Sequence, residues 1–100
     1  MFHEEGLKLA FKILGLPPYL LKSFYIIIER GEVTIKELAE HLGVSIRTVY
    51  NHISKLMSHG LLTRKPAEKD GRLVYVYSPV SMDEIKNMVK ARVQEVFESG

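Results

Sequence analysis

The stretch SIRTVYNHISKLMSHGLL, residues 45–62, contains no aspartate or glutamate, although these two residue types supply 12 of the 100 residues in the chain. The acid-free segment is longer than this stretch, because no carboxylate side chain occurs between Glu40 and Glu68. The same segment holds four fixed cations: Arg47, Lys55, Arg64 and Lys65. The net charge of the whole chain is only +2, so its positive charge is concentrated in one part of the sequence.

Residues 45–60 fit an amphipathic helix that turns by about 100° per residue. One arc collects the apolar side chains that we expect to pack on the core: Ile46, Val49, Tyr50, Ile53, Leu56 and Met57. The opposite arc collects polar and cationic side chains: Arg47, Thr48, Asn51, His52, Ser54, Lys55, Ser58 and His59. Solvated helix faces usually mix charges, because Glu–Lys pairs four residues apart stabilise a helix by about 0.2–0.5 kcal/mol. The absence of carboxylates on this arc therefore favours a surface that contacts phosphate.

The flanking segments predict a helix-turn-helix followed by a β-hairpin. Thr34 and Glu37 have the spacing of a capping box that opens a short helix from Ile35 to Leu42. Gly43 ends that helix, and Ser45 caps the next one, which is the spacing of a helix-turn-helix. Two extended runs follow, Leu61–Lys65 and Arg72–Ser78, and the PAEKDG segment between them contains an Asp-Gly turn signal.

The remaining elements are predicted to be helices at the two ends and in the centre of the fold. A first helix ends near Gly15, a largely apolar helix covers Tyr19–Arg30, and a capping box from Ser81 to Glu84 opens a last helix. We therefore predict one domain, mainly α with a β-hairpin wing (α+β). Its expected parts are an N-terminal helix in residues 1–15, a winged-helix core in residues 18–80 and a C-terminal dimerisation helix in residues 81–98.

The motifs ELAEHLGVS, RTVY and K-L-x-x-x-G-L-L, within residues 15–80, carry a family resemblance. This region resembles the DNA-binding domain of archaeal TrmB-like regulators and, more broadly, of the MarR and ArsR groups. The resemblance implies a winged helix-turn-helix that binds DNA. Sugar-sensing TrmB proteins have a large C-terminal effector domain, whereas this sequence continues with one further helix, so we do not expect sugar sensing.

The resemblance also implies which residues meet DNA. The recognition helix, residues 45–59, would enter the major groove, and the hairpin wing, residues 61–78, would lie near the backbone or the minor groove. Arginine and asparagine can pair with guanine and adenine there, while Glu68 and Asp70 reduce the positive charge of the wing. The expected DNA-binding residues are Lys36, Ser45, Arg47, Thr48, Asn51, His52, Lys55, Lys69 and Arg72.

The two terminal helices are expected to form a homodimer, since a winged-helix core is closed without them and the resemblance implies this use. An apolar stripe at spacings of three and four runs along the last helix. The expected interface residues are Leu7, Phe11, Leu14, Met82, Ile85, Val89, Val93 and Val96. Two joined domains would bind two half-sites of an operator as one event.

Other function classes find less support in the residues. The chain has no cysteine, so a disulfide scaffold and a thiolate zinc site are excluded. No catalytic constellation, cofactor motif, metal-binding histidine pattern or membrane span is recognisable, so we expect a cytoplasmic protein that is not an enzyme and has no cofactor or metal. The prediction is a homodimeric regulator that binds double-stranded DNA. A winged-helix protein–protein module, or an architectural protein that binds DNA or RNA without sequence preference, remains the alternative.

Overall fold

The computed structural model describes residues 4–98, and these contain five helices and one two-stranded antiparallel hairpin. In chain order the elements are α1 (Glu4–Leu14), α2 (Leu20–Arg30), α3 (Ile35–Leu42), α4 (Ile46–Ser58), β1 (Leu62–Lys69), β2 (Arg72–Pro79) and α5 (Met82–Glu98). This order confirms the predicted winged helix-turn-helix with an additional helix at each end. None of the helices within residues 4–98 has the length and apolar character that a membrane crossing requires.

The chain forms two compact units. The first joins the segment up to Leu21 with the segment from Ser81 onward, and the second is Lys22–Val80. The core of the second unit draws buried apolar side chains from α2, α3, α4 and the hairpin: Phe24, Ile27, Val33, Leu38, Ala39, Val49, Ile53, Leu56, Leu61, Leu62, Val76, Tyr77 and Val80. Every element of the second unit therefore contributes to its core.

Val33 connects the start of α3 to the hairpin. Its N–H donates to the Tyr77 carbonyl at 2.9 Å, and the Tyr77 N–H donates to the Val33 carbonyl at 2.8 Å. The two hydrogen bonds form an isolated antiparallel bridge on β2. Both side chains are buried, so water has little access to this bridge.

Local caps fix both ends of α3 and the start of α4. The Thr34 N–H donates to Glu37 Oε1 at 2.8 Å and the Glu37 N–H donates to Thr34 Oγ1 at 3.1 Å, which confirms the predicted capping box. Gly43 ends α3 with a φ of 67°, a left-handed conformation that glycine adopts without steric cost. Ser45 Oγ then accepts the Thr48 N–H at 3.1 Å and caps α4.

The hairpin is longer than its sequence suggested. The first strand was expected to end at Lys65, but β1 continues to Lys69, where the Asp70–Gly71 turn has a positive φ at both residues. Pairs in an antiparallel ladder alternate between hydrogen-bonded and non-hydrogen-bonded. Counting from the turn, Pro66 opposite Tyr75 falls at a non-hydrogen-bonded position, where the N–H that proline lacks would point away from β2.

In the first unit, α1 and α5 pack against each other. Leu7, Ala10 and Phe11 of α1 and Ile85 of α5 are buried. The C-terminal half of α5 differs, because Val93, Val96 and Phe97 are 37%, 61% and 81% exposed. The apolar stripe of α5 is therefore covered near its N-terminus and open to solvent near its C-terminus.

A side-chain pair joins α2 to α4 inside the second unit. Ser23 Oγ and His52 Nδ1 lie 2.7 Å apart, a hydrogen-bonding distance, and Ser23 is fully buried while His52 is half-buried. Burial lowers the pKa of His52 from its ordinary value of 6.5, and the nearby Lys55 ammonium lowers this pKa further. The folded chain therefore favours a neutral His52.

This lowered pKa predicts a loss of stability in acid. Below pH 6.5 the unfolded chain binds a proton at His52 that the folded chain resists, so the free energy of unfolding should fall as the pH falls through and below that value. Urea titrations from pH 7.5 to 5 should show a steeper decline for the wild type than for His52→Gln. Because burial is the first cause of the lowered pKa, Ser23→Ala should keep the decline. Parallel curves for wild type and His52→Gln would contradict this account.

Candidate nucleic-acid interface

The outer face of α4, which we define as Arg47, Asn51, Ser54, Lys55 and Ser58, is exposed to solvent. It lies opposite the buried side chains of the same helix, Val49, Ile53 and Leu56. The outer face combines two cations with three uncharged hydrogen-bonding side chains and contains no carboxylate. This composition is suited to contact with phosphates and with the edges of bases.

The structure corrects the predicted apolar arc of α4. Val49, Ile53 and Leu56 are buried and Met57 is half-buried, but Ile46 is 50% exposed and Tyr50 is 55% exposed. At about 100° per residue the three buried side chains span only about 60° of the helix circumference, and Ile46 and Tyr50 lie beyond one edge of that span. The expectation that these two residues pack on the core was therefore wrong.

Hydrogen bonds within the chain already engage the side chains of Ser45, Thr48 and His52, which are expected DNA-binding residues. Ser45 Oγ caps α4 and lies 3.0 Å from Thr48 Oγ1, and Thr48 is half-buried. His52 is half-buried, and its Nδ1 lies 2.7 Å from Oγ of the buried Ser23. Ser45, Thr48 and His52 thus position α4, and a direct contact of each with DNA stays a prediction.

The wing places its basic residues near the start of α3. Lys69 Nζ lies 4.0 Å from Glu37 Oε2 across the gap between β1 and α3. The hydrogen bond from the Thr34 backbone lowers the pKa of Glu37, and the Lys69 charge lowers it further, so Glu37 remains a carboxylate that holds Lys69. Arg72 and Lys36 are exposed beside this pair.

Sequence reasoning missed two further contacts of basic residues on β1. The Arg64 guanidinium lies over the Tyr75 ring, 4.4 Å from its centroid, in a cation–π contact. Lys65 Nζ lies 3.8 Å from Glu32 Oε2. The alternation of side chains along β2 could have predicted that Tyr75 lies on an outer face. The contact with Arg64 could not be predicted, because it depends on the extension of β1 beyond Lys65, which sets Arg64 opposite Tyr77 and diagonal to Tyr75.

A groove of about 530 Å³ lies between α1 and α5 of the first unit. It is lined mainly by apolar side chains, with two lysines at its edge: Leu7, Leu9, Ala10, Ile13, Met82, Ile85, Lys86, Val89 and Lys90, together with Gly6. Among the predicted interface residues, Leu7, Phe11 and Ile85 are at most 4% exposed in a single chain, so they present almost no surface to a second one. Leu14, Met82, Val89, Val93 and Val96 retain accessible surface.

The residues from 4 to 98 contain no group of three or more histidine, aspartate or glutamate side chains placed to hold a metal ion.

A family model described as "Sugar-specific transcriptional regulator TrmB" matches residues 11–83. A curated relative, an uncharacterized protein of Methanocaldococcus jannaschii, is 30% identical over 84 residues. The match covers 83% of this chain and 64% of that relative, so the chain spans somewhat less than two thirds of the relative's length.

Solved structures share the fold. A possible transcriptional regulator from Methanosarcina mazei superposes with a TM-score of 0.77 at 21% identity, covering 94% of this chain and 82% of that one. A MarR protein from Peptoclostridium difficile superposes with a TM-score of 0.64 at 24% identity, covering 91% of this chain and 57% of that one. These likenesses confirm the MarR-like winged-helix fold. The family match extends over most of the chain and confirms the resemblance to TrmB-like regulators. The chain belongs to the TrmB family of transcriptional regulators rather than to an enzyme family.

Proposed function

We propose that this chain is a transcriptional regulator that binds a specific sequence of double-stranded DNA as a homodimer. The observation that supports this function most directly is the exposed, carboxylate-free outer face of α4. Ser45 caps the start of this helix, and its opposite face is buried in the core. In this proposal α4 enters the major groove, where Arg47 pairs with guanine and Asn51 with adenine. Lys55 contacts a phosphate and adds affinity without sequence preference.

The hairpin wing lies near the backbone or the minor groove in this arrangement. Arg72 and Lys36 are exposed and can each meet a phosphate. Lys69 can exchange Glu37 for a phosphate at little cost, because an ion pair at this exposure contributes only about 0–1 kcal/mol. Ser45, Thr48 and His52 complete the proposed DNA-facing set at the edges of α4.

The homodimer is supported by the first unit. The groove between α1 and α5 and the exposed side chains of Val93 and Phe97 leave apolar surface of the first unit open to solvent, and such surface often marks protein–protein contacts. A second copy would cover this surface through a two-fold interface. Each winged helix then contributes few base contacts, and the dimer joins two such sets into one binding event.

A salt titration separates this function from its alternatives. The full chain is mixed with a duplex selected from a random library and with a scrambled duplex of equal length, and affinity is measured by fluorescence anisotropy from 50 to 300 mM salt. The proposal expects tight binding of the selected duplex and a steep salt slope for both. Equal affinity for the two duplexes would indicate an architectural protein, and no binding to either would favour a protein-binding module.

The outer face of α4 should divide into residues that read bases and residues that contact the backbone. Arg47→Ala should weaken binding of the selected duplex by about 1–3 kcal/mol and relax the preference at one base position, because a paired hydrogen bond to guanine is lost. Lys55→Ala is the matched control, one cation removed from the same face, and should weaken both duplexes alike and reduce the salt slope by about one. An Arg47→Ala variant with unchanged preference would exclude base reading by Arg47.

A charge in the exposed half of α5 should dissociate the dimer. Val93→Asp places a carboxylate in the apolar stripe, and an unpaired charge buried at an interface costs several kcal/mol. Because Val93 is 37% exposed in a single chain, the variant should keep its helical circular dichroism while sedimenting as a monomer at micromolar concentration.

The control for this experiment is Gln94→Asp, which adds the same charge at an exposed polar position one residue further along α5. It should sediment as a dimer, like the wild type. A wild type that is monomeric under these conditions would refute the dimer, and a dimeric Val93→Asp would move the interface away from this part of α5.

A further inference from the structure

Ile46 and Tyr50 form an exposed apolar edge on α4, directly beside the outer face. They are four residues apart, so their side chains are neighbours on one side of the helix, with Cβ atoms about 5–6 Å apart. Half of each side chain is open to solvent. We call this pair the apolar edge: Tyr50 lies three residues after Arg47 and four before Ser54, spacings that make its side chain a neighbour of the outer face.

The apolar edge faces a groove between α3, α4 and β2 of the second unit, and the charges around this groove balance. Lys36, Lys69 and Arg72 supply three positive charges, and Glu37, Glu40 and Asp70 supply three negative ones. Glu37 and Lys69 are also paired with each other. Ile46 and Tyr50 carry no charge, so neither attracts a phosphate as these cations can, and the apolar edge is better matched to an uncharged, apolar group of the nucleic acid.

Thymine supplies the one methyl group that a base pair exposes in the major groove, and apolar side chains recognise it. We infer that Ile46 and Tyr50 contact thymine methyl groups and so make the chain prefer A·T pairs at the positions beside those contacted by Arg47 and Asn51. This inference rests on the proposed DNA-binding function. The separation of the two Cβ atoms, compared with a rise of about 3.4 Å per base pair, lets the apolar edge span one or two base-pair steps.

The expected size of the effect follows from the burial of a methyl group. Removing one buried methyl should weaken binding roughly three- to five-fold. Deoxyuridine differs from thymidine only in lacking this methyl, so it removes the contact while keeping every hydrogen-bonding group of the base pair.

The test uses the full chain and the duplex that it selects from a random library. Each thymidine of that duplex is replaced in turn by deoxyuridine, and affinity is measured by fluorescence anisotropy for the wild type, Ile46→Ala and Tyr50→Ala. Arg47→Ala is the control, because it should lose affinity overall yet keep the full penalty for deoxyuridine. Circular dichroism checks that the variants fold, as expected for residues that are half exposed.

We expect at least one thymidine at which deoxyuridine weakens wild-type binding three- to five-fold, and at which the penalty disappears in Ile46→Ala or Tyr50→Ala. The inference is overturned if the selected site contains no thymine, if deoxyuridine has no effect at any position, or if the penalty persists undiminished in both variants. A chain that selects no sequence at all would overturn the proposed function itself, and the inference with it.

Discussion

The arrangement of the second unit depends on the two hydrogen bonds between Val33 and Tyr77. They join Val33, which precedes the N-cap of α3, to the C-terminal part of β2. Because both residues are buried, water competes weakly for these backbone groups, and the bridge holds the wing beside the helix-turn-helix. Beside this bridge, Lys69 of the wing comes within 4.0 Å of Glu37 on α3.

Local signals in the sequence were sufficient to predict most of the elements of this fold. The capping box at Thr34, the glycine after Leu42 and the Asp70–Gly71 turn act over three or four residues, so the chemistry of each turn can be recognised without knowing what surrounds it. The sequence did not predict that β1 continues through Pro66. Proline fits within this strand only where its missing N–H would point away from β2, and that position depends on how β1 pairs with β2.

The sequence predicted which side of α4 carries the candidate site, but not how much of the helix surface is exposed. Helical periodicity identified the outer face of α4 with Arg47 and Asn51, because opposite sides of a helix follow from spacing alone. It could not tell how wide a part of α4 the core covers, and so Ile46 and Tyr50 were assigned to the interior. The width of the covered face depends on where α3 and β2 lie, which is tertiary information. The same reason accounts for Leu7 and Phe11, which are covered within one chain although their pattern suits an interface.

The position of Pro66 on β1 also affects how the chain behaves at high concentration. Within the described residues β1 pairs only with β2, so its other side is an open sheet edge, a surface on which a strand of another molecule could add. Pro66 removes one donor from that edge, and Arg64, Lys65 and Glu68 place charges along it. Together these residues disfavour the pairing of β1 with a strand of another molecule, so the hairpin can remain exposed without promoting aggregation.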